Sequence, residues 1–579
     1  MRKLLCFAAC FSITLSLYAD DLAPVKNWKG DVLTIGRDEA GQALRVMLSP
    51  KAFDYVPNRL RILTLIDIGA DAAQHAAVRQ RLEALFESDD QQPIQQAWLY
   101  ITPDSVPGDA DRVRLLSFPP QGPAYHTPNE RTASAVWRFV AWYAPDLIVE
   151  VHSNQIPEYQ AFKQGQPAKW EAGSLALAAS NDVMGWGSVP TVRLSVEEFL
   201  LPEPPRPSDW NRTDALLQAV TQGTPSPLHK QVQERRERNA SEVVDQLLTV
   251  YGHELKTVMY QPALAVVARH QRAVDRGNAA EVQAVEDILQ PYLSGQKPAL
   301  PERPNGSQIA GHLAFSEWAG KTKSPAAIKL VQTAADFAFD SQGQPLEAMP
   351  THSEMSDAVF MGCPILTSAA RFTGDPKYLD MAGRHLRFMR KLCVREDGLY
   401  RHSPLCEAPW GRGNGFPTLG LTLCLTDLDA ILDDASLADI HPVARSLREE
   451  MLRDFREHCK SLLTHQDVTG MWRQVIDDER AYREMTATCM IGFAMQRGLD
   501  RGWLAGPQYQ SAVDSAWQAV KVRIGSRGEL LDVCTGTGKQ QSLEDYFDRT
   551  AVSGVDERGG AMALLFARER ERSEVIANK

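Results

Sequence analysis

Hydrophobic and polar positions divide the chain into two regions with different periodicity. In residues 20–200, short apolar runs rich in β-branched residues alternate with helical segments. The apolar runs predict strands at 61–68, 97–102 and 146–152, and the helical spacing predicts helices at 72–86 and 130–143. Alternation of strand and helix is typical of a mostly parallel sheet with helices on its faces. An α/β fold is therefore predicted for this region.

From residue 228 onward the pattern is helical throughout. Apolar residues recur at steps of three and four, which lines one face of a helix, in two sets: Leu379, Ala382, Leu386, Met389 and Cys393, and Leu421, Leu425, Leu428 and Leu432. Glycine-containing turns of hairpin length separate roughly a dozen such segments. Repeated helix pairs predict an α/α solenoid or a closed α/α barrel.

Two segments outside these regions set the expected domain boundaries. The proline-rich stretch 201–208 cannot continue a helix or a central strand. At the N-terminus, Arg2 and Lys3 precede a short apolar stretch and Ala19, which is the pattern of a secretory signal. We expect a signal peptide at 1–19, an α/β domain at 20–200, a linker at 201–227 and a helical domain at 228–579. The mature protein would be secreted or periplasmic.

Composition narrows the classes of partner. The net charge of −11 provides no basic excess for neutralising phosphates, so nucleic acid is an unsuitable partner. After the signal segment, no apolar run approaches the roughly 20 residues of a membrane helix. Of the nine cysteines, Cys6 and Cys10 leave with the signal, and the others form no CxxC pair. We expect mostly buried free thiols in the mature chain.

Four motifs in the helical region carry a family resemblance. They are Ser-Asp-Ala-Val-Phe-Met-Gly-Cys-Pro at 356–364, Gly-Leu-Tyr-Arg-His at 398–402 with Trp-Gly-Arg-Gly-Asn-Gly-Phe at 410–416, Gly-Met-Trp-Arg-Gln-Val-Ile-Asp-Asp at 470–478, and Asp-Val-Cys-Thr-Gly-Thr-Gly at 532–538. This ordered set resembles the unsaturated rhamnogalacturonyl hydrolases of glycoside hydrolase family 105, which are related to family 88. The resemblance implies an (α/α)6 barrel, in agreement with the helical pattern.

The resemblance also implies a reaction. Members of the family remove a 4,5-unsaturated uronic acid from the non-reducing end of oligosaccharides that polysaccharide lyases produce. The enzyme hydrates the C4–C5 double bond, so the paired carboxylates of other glycosidases are not required and one acid/base suffices. Asp357 matches the proton donor of the family. The alternative is a helix N-cap, because Ser356 and Asp357 precede an apolar helical run.

Other residues match the family site. His402 matches an active-site histidine that binds the sugar, and Arg412 is the candidate for binding the uronate carboxylate. Alternatives are an ordinary loop histidine and a surface arginine. Trp410 and Phe416 would provide apolar faces for the sugar, although a core position for one of them is almost as plausible. Met355 and Trp472 are further pocket candidates. No cofactor is implied.

The sequence departs from the family at a few positions. Gly306, flanked by Asn305 and Ser307, stands where the family carries a second aspartate, and Arg558 replaces a common histidine. Met355 and Phe416 replace tryptophans. These differences leave open a different substrate specificity. They also keep a second hypothesis open, in which the protein binds carbohydrate without catalysis.

The α/β region resembles the zinc carboxypeptidases more faintly. In this resemblance His152, at the end of the strand 146–152, corresponds to a zinc ligand, and Glu197 corresponds to the catalytic glutamate. The His-x-x-Glu motif expected after Ile66 is replaced by Ile-Gly-Ala-Asp at 68–71. Because catalytic zinc needs three protein ligands, we expect no bound metal and treat His152 and Glu197 as vestigial. A zinc metallocarboxypeptidase is the third hypothesis.

Overall fold

The computed structural model describes residues 31–49, 52, 60–67, 72–87, 94–100, 131–152, 187, 189, 191–200 and 223–577. The predicted signal peptide and most of the predicted linker lie outside these residues. Contacts group the described residues into two compact units. The first contains the described residues up to 100, from 139 to 152 and from 187 to 230, and the second contains 131–138 and 231–577.

The first unit is built on a mixed sheet. Its described strands are β1 (Asp31–Arg37), β2 (Ala43–Leu48), β3 (Leu60–Asp67), β4 (Ile94–Tyr100), β5 (Leu147–His152) and β6 (Thr191–Ser195), in the order β1-β2-β4-β3-β5-β6. Strands β4, β3, β5 and β6 are parallel, as predicted, whereas β1 and β2 form an antiparallel extension beside β4. The described helices are α1 (Ala72–Glu87), α2 (Arg131–Tyr143), whose residues 131–138 are grouped with the second unit, and α3 (Val196–Phe199).

The second unit consists mainly of helices between residues 223 and 577. After α4 (Pro227–Glu237), which ends in this unit, it contains α5 (Ala240–Leu247), α6 (Tyr260–Asp275), α7 (Ala279–Leu293), α8 (Gly306–Gly311), α9 (Leu313–Thr322), α10 (Pro325–Ala335), α11 (Ala358–Thr373), α12 (Lys377–Cys393), α13 (Gly411–Asp433), α14 (His441–Leu463), α15 (Met485–Asp500), α16 (Pro507–Val522), α17 (Leu543–Phe547) and α18 (Glu557–Ala577). A two-stranded sheet of β7 (Leu530–Cys534) and β8 (Ala551–Gly554) lies between α16 and α18 in the chain.

Six of these helices form a closed ring in the continuous stretch 223–577. Helix α6 packs on α9, α9 on α11, α11 on α13, α13 on α15, α15 on α18, and α18 again on α6. The helices α5, α7, α10, α12, α14 and α16 pack outside this ring, each against an inner helix. This arrangement is an (α/α)6 barrel, so the closed form of the two predicted helical architectures is correct.

The predicted apolar faces form the barrel core. Residues Leu379, Leu386 and Met389 of α12 are buried, and so are Leu421 and Leu428 of α13. The seven cysteines outside the signal segment are free, and all but Cys406 are buried, which confirms the expectation of buried thiols. Helix α13 is long and apolar enough to cross a membrane, but its residues are mostly buried in the barrel. It is therefore a core helix of the ring.

A buried ion cluster fixes the turn that follows α14. The carboxylate of Asp467, of which only 3% is exposed, accepts hydrogen bonds from Arg473 at 2.6 Å and from Arg483. Burial alone would raise the pKa of Asp467, but the guanidinium groups of Arg483 and Arg473 lower it to about 2 from the ordinary 3.8. Because the pKa is lower in the folded state, the cluster stabilises the fold above about pH 4 and loses this effect towards about pH 2.

The first prediction concerns this cluster. Asp467→Asn should lower the free energy of unfolding of the barrel by about 3–5 kcal/mol at neutral pH, because the buried guanidinium groups of Arg473 and Arg483 lose the charge of the carboxylate that both contact. Urea unfolding measured between about pH 2 and pH 7 should also show a weaker acid destabilisation in the variant than in the wild type.

An exposed ion pair provides the matched control. Glu450 binds Arg387, whose side chain is 61% exposed. Solvent screens this pair, so Glu450→Gln should cost less than about 1 kcal/mol. An Asp467→Asn protein as stable as the Glu450→Gln protein would contradict the structural role of the cluster.

Candidate active site

The N-termini of inner helices meet at one end of the barrel. The rings of Tyr260 in α6, Phe360 in α11 and Phe416 in α13 contact one another, with centroids 5.4–5.8 Å apart. The first turn of α15 reaches the same place, where Thr486 accepts a hydrogen bond from Arg412. Since helix N-termini carry partial positive charge, this end of the barrel favours an anionic ligand.

Asp357 lies at this end, immediately before α11. It occupies the N-cap position, but its backbone has helical dihedral angles and its side chain makes no capping hydrogen bond. The carboxylate is nine-tenths buried, and its Oδ1 atom has no hydrogen-bond partner among the described residues. The alternative interpretation of Asp357 as a helix cap therefore lacks the hydrogen bond that would define it.

His402 faces Asp357. Its Nε2 atom is 3.4 Å from Oδ1 of Asp357, without the alignment of a hydrogen bond, and the imidazole is fully buried. The other ring nitrogen, Nδ1, is 2.8 Å from the hydroxyl of Tyr546. His402 is thus held at one nitrogen and free of hydrogen bonds at the nitrogen that faces the carboxylate.

Trp410 completes a cluster of unpartnered polar atoms. Its ring centroid is 4.4 Å from that of His402, and its buried Nε1 also lacks a hydrogen-bond partner in the described structure. An unpaired buried polar atom costs about 1–3 kcal/mol, and native proteins keep few of them. Asp357, His402 and Trp410 together therefore have the character of a site that awaits a polar ligand.

A serine and a glycine hold the site together. The backbone N–H of Ser356 donates to the carbonyl of His402 at 2.9 Å, and its hydroxyl donates to the carbonyl of Gly413 at 2.7 Å. A Cβ atom on Gly413 would lie 3.0–3.3 Å from Ser356, Trp410 and His402. A side chain there would require these neighbours to shift by a few tenths of an ångström, and glycine permits the close approach of α13 without such a shift.

Arg412 lies beneath the site. Its guanidinium is buried and donates to the carbonyl oxygens of Cys534 and Thr535 at 2.6 Å, and it stacks on Trp410 at 4.5 Å. Arg412 is thus a buried residue that joins α13 to the end of β7, and not a surface arginine. Among the described residues, Arg412 donates its hydrogen bonds to a hydroxyl and two carbonyl oxygens, and to no carboxylate.

The other predicted pocket residues have different positions. Phe416 and Trp472 belong to the barrel core, where Phe416 stacks on Phe360 and the indole N–H of Trp472 donates to the carbonyl of Leu462 at 2.7 Å. Because Trp410 is buried to the same extent, burial does not decide whether these two rings face a ligand, and their assignment to a pocket stays a prediction. Met355 is half-buried in the turn before Asp357.

Gly306, which stands where the family carries a second aspartate, lies close to α11. Gly306 begins α8, where a Cβ atom would lie 3.1 Å from Met361 in the first turn of α11. Asn305 caps α8, and the hydroxyl of Ser307 donates a hydrogen bond to Gln261. None of the residues 305, 306 and 307 carries a carboxylate. Met361 thus leaves little room at Gly306 for the aspartate that the family carries.

Tyr546 is a site residue that the sequence analysis missed. It lies in the short helix α17, which begins with a capping box of Ser542 and Asp545. The capping-box pattern could have predicted the helix. Nothing in the local sequence could have predicted that its tyrosine reaches His402, because residues 402 and 546 are distant in the chain. Arg558, at the start of α18, pairs with Asp556 at 3.1 Å and is partly exposed.

The two residues of the first unit that resemble zinc-site residues, His152 and Glu197, lie near the ends of neighbouring strands. His152 ends β5 and pairs in register with Ser195, two residues before Glu197, so both predicted positions lie at the carboxyl ends of parallel strands. Glu197 is exposed. Among the residues that the structure describes, no group of three or more His, Cys, Asp or Glu side chains could hold a metal ion.

Comparisons with known proteins identify the family of the second unit. The sequence model of Glycosyl Hydrolase Family 88 matches residues 239–574, which is more than half of the chain. An unsaturated 3S-rhamnoglycuronyl hydrolase of Formosa agariphila is 28% identical over 182 residues, covering 28% of this chain and 45% of that protein. The unsaturated rhamnogalacturonyl hydrolase YesR of Bacillus subtilis is 24% identical over 157 residues, covering 27% of this chain and 40% of that protein.

A solved structure covers a longer stretch. A possible member of family GH105 from Salmonella enterica Paratyphi A is 18% identical and covers 59% of this chain and 95% of that chain, with a TM-score of 0.49. The family match over residues 239–574 includes Asp357, His402, Trp410 and Arg412. The chain therefore belongs to Glycosyl Hydrolase Family 88 and is a glycoside hydrolase.

Proposed function

We propose that this enzyme removes 4,5-unsaturated uronic acid from the non-reducing end of oligosaccharides produced by polysaccharide lyases. The substrate would come from rhamnogalacturonan or a similar acidic polysaccharide. The observation that carries the proposal is the cluster of buried, unpartnered polar atoms on Asp357, His402 and Trp410. The names of the Formosa and Bacillus relatives support the substrate class.

Asp357 is the proposed acid and base. As a neutral acid it donates its proton to C4 of the double bond, and C5 becomes the electron-deficient centre. A water molecule then adds to C5 and gives its proton to the carboxylate of Asp357, which restores the acid. The resulting hemiketal opens and releases the remaining sugar. Because one group performs both proton transfers, the missing carboxylate at Gly306 does not prevent the reaction.

The substrate carboxylate has an electrostatic reason to bind here. Arg412 carries a buried positive charge; its hydrogen-bond acceptors are two carbonyl oxygens and a hydroxyl, and the carboxylates of Glu484 and Asp357 interact with it electrostatically without a direct ion pair. The uncapped N-termini of α11 and α13 add positive potential at the same end. We propose that Arg412 attracts the uronate mainly through this field, while its own hydrogen bonds hold Cys534 and Thr535.

The second prediction tests Asp357. Lyase-generated oligosaccharides lose their double-bond ultraviolet absorbance when the double bond is hydrated. Asp357→Asn should slow this loss by at least about 10²-fold, the usual contribution of a general acid. The variant should melt at or above the wild-type temperature, because Oδ1 of Asp357 makes no hydrogen bond that the substitution could remove.

A buried aspartate at the other end of the barrel is the control. Asp427 accepts hydrogen bonds from Thr367 and Ser368 and pairs with Arg371. Asp427→Asn should keep its activity per folded molecule, whatever its melting temperature. Turnover by Asp357→Asn at the rate of Asp427→Asn would reject Asp357 as the acid. Binding of the unsaturated sugar by the wild type without loss of absorbance would instead favour a carbohydrate-binding protein.

The first unit is proposed to be a carboxypeptidase-like α/β domain without a working zinc site. The parallel strands β3 and β5, which are adjacent and in register, and the position of His152 at a strand end support this proposal. Secretion or export to the periplasm is also proposed, from the signal pattern at residues 1–19.

The third prediction concerns metal content. The full-length protein, purified without chelators, should contain far less than one zinc ion per chain by elemental analysis, because the His-x-x-Glu pair of ligands is absent from the sequence. Stoichiometric zinc that is lost in a His152→Ala variant would contradict this expectation and revive the peptidase hypothesis.

A further inference from the structure

We propose that Tyr546 is a positioning residue that fixes the tautomer of His402. In this tautomer the imidazole proton is on Nε2, the nitrogen 3.4 Å from Oδ1 of Asp357. The tautomer follows from the contacts around the imidazole, whereas its effect on turnover rests on the function proposed above.

The first step is the contact at Nδ1. The Tyr546 hydroxyl is 2.8 Å from Nδ1 of His402, which is an ordinary hydrogen-bond distance. A neutral imidazole has one donor nitrogen and one acceptor nitrogen. The direction of the hydrogen bond at Nδ1 therefore decides which nitrogen carries the proton.

The second step is the direction of that hydrogen bond. The phenol oxygen accepts a hydrogen bond from the backbone N–H of Gln540 at 3.4 Å. With its oxygen accepting from Gln540, the phenol has its own proton available for Nδ1, its other hydrogen-bond partner among the described residues. Burial raises the pKa of Tyr546 above its ordinary value of 10, so the hydroxyl keeps the proton that it donates. Nδ1 is then the acceptor and Nε2 the donor.

The third step is the consequence at Asp357. Nε2 lies 3.4 Å from Oδ1, and the described residues offer no other hydrogen-bond partner to either atom. Asp357 becomes a carboxylate once it has protonated C4, and an N–H group 3.4 Å from it stabilises the new charge electrostatically. The opposite tautomer would present a lone pair to the carboxylate and repel it.

Tyr546 is itself held in place from two directions. The capping box of Ser542 and Asp545 fixes the start of α17, and the side-chain amide of Gln474 donates to the backbone carbonyl of Tyr546. On the imidazole, Trp410 packs 4.4 Å from the ring and limits its rotation. The hydroxyl therefore meets Nδ1 in a fixed geometry.

The fourth prediction is the effect of Tyr546→Phe, which removes the hydroxyl and keeps the ring. The kcat for double-bond hydration should fall by about 10- to 100-fold, the usual loss for a group that orients an active-site residue. KM should change little, because the described hydrogen bonds of the hydroxyl are with His402 and Gln540. Tyr292→Phe is the matched control, since it removes another buried hydroxyl, one that donates to the carbonyl of Leu255. This control should keep the wild-type kcat.

A spectroscopic measurement separates positioning from stability. In protein labelled with ¹⁵N-histidine, long-range ¹H–¹⁵N spectra at about pH 8, where an ordinary imidazole is neutral, distinguish the two tautomers. A His402→Gln variant assigns the signal. The wild type and Tyr292→Phe should show the Nε2–H form, and Tyr546→Phe should lose this preference.

Each outcome decides the proposal. An Nδ1–H tautomer in the wild type overturns it, and so does an unchanged tautomer in Tyr546→Phe. If Tyr546→Phe does not fold, the tautomer of the wild type alone still decides. The spectra need no substrate, so continued turnover by Asp357→Asn would reject the proposed function without affecting this result.

Discussion

The rest of the site depends on two hydrogen bonds that Ser356 donates. These hydrogen bonds join the start of α11 to the loop of His402 and to the first turn of α13. Gly413 permits this approach because a side chain there would meet Ser356, Trp410 and His402. The closed ring of helices brings these distant segments to one end of the barrel, and Ser356 then sets the short separation between Asp357 and His402.

The barrel maintains the site at a cost in stability. Three buried polar atoms remain unpartnered on Asp357, His402 and Trp410 within the described structure, although a satisfied core would be more stable. Elsewhere the fold pairs buried charges closely, as in the cluster of Asp467 with Arg473 and Arg483. In the site, the three unpartnered atoms lie on neighbouring side chains, so that one bound ligand can complete their hydrogen bonding.

The sequence predicted the parallel strands, the helical barrel and the place of Asp357 because these follow from periodicity and local motifs. It did not predict the antiparallel strands β1 and β2. It could not decide whether Phe416 and Trp472 face the core or a pocket, because a motif does not tell which face of a helix or turn is buried. Tyr546 was missed because its contact with His402 joins segments 144 residues apart, and such contacts depend on the closure of the barrel.

The central claim is that Asp357 adds a proton to C4 of the unsaturated sugar. The most direct measurement is turnover in deuterated water, with the product followed by proton NMR from the earliest times. Enzyme-directed protonation should place deuterium on a single face of C4, at the rate at which the double bond disappears. Equal deuterium on both faces, or release of the sugar before the double bond is lost, would show that the bond is cleaved by another route and would contradict the account.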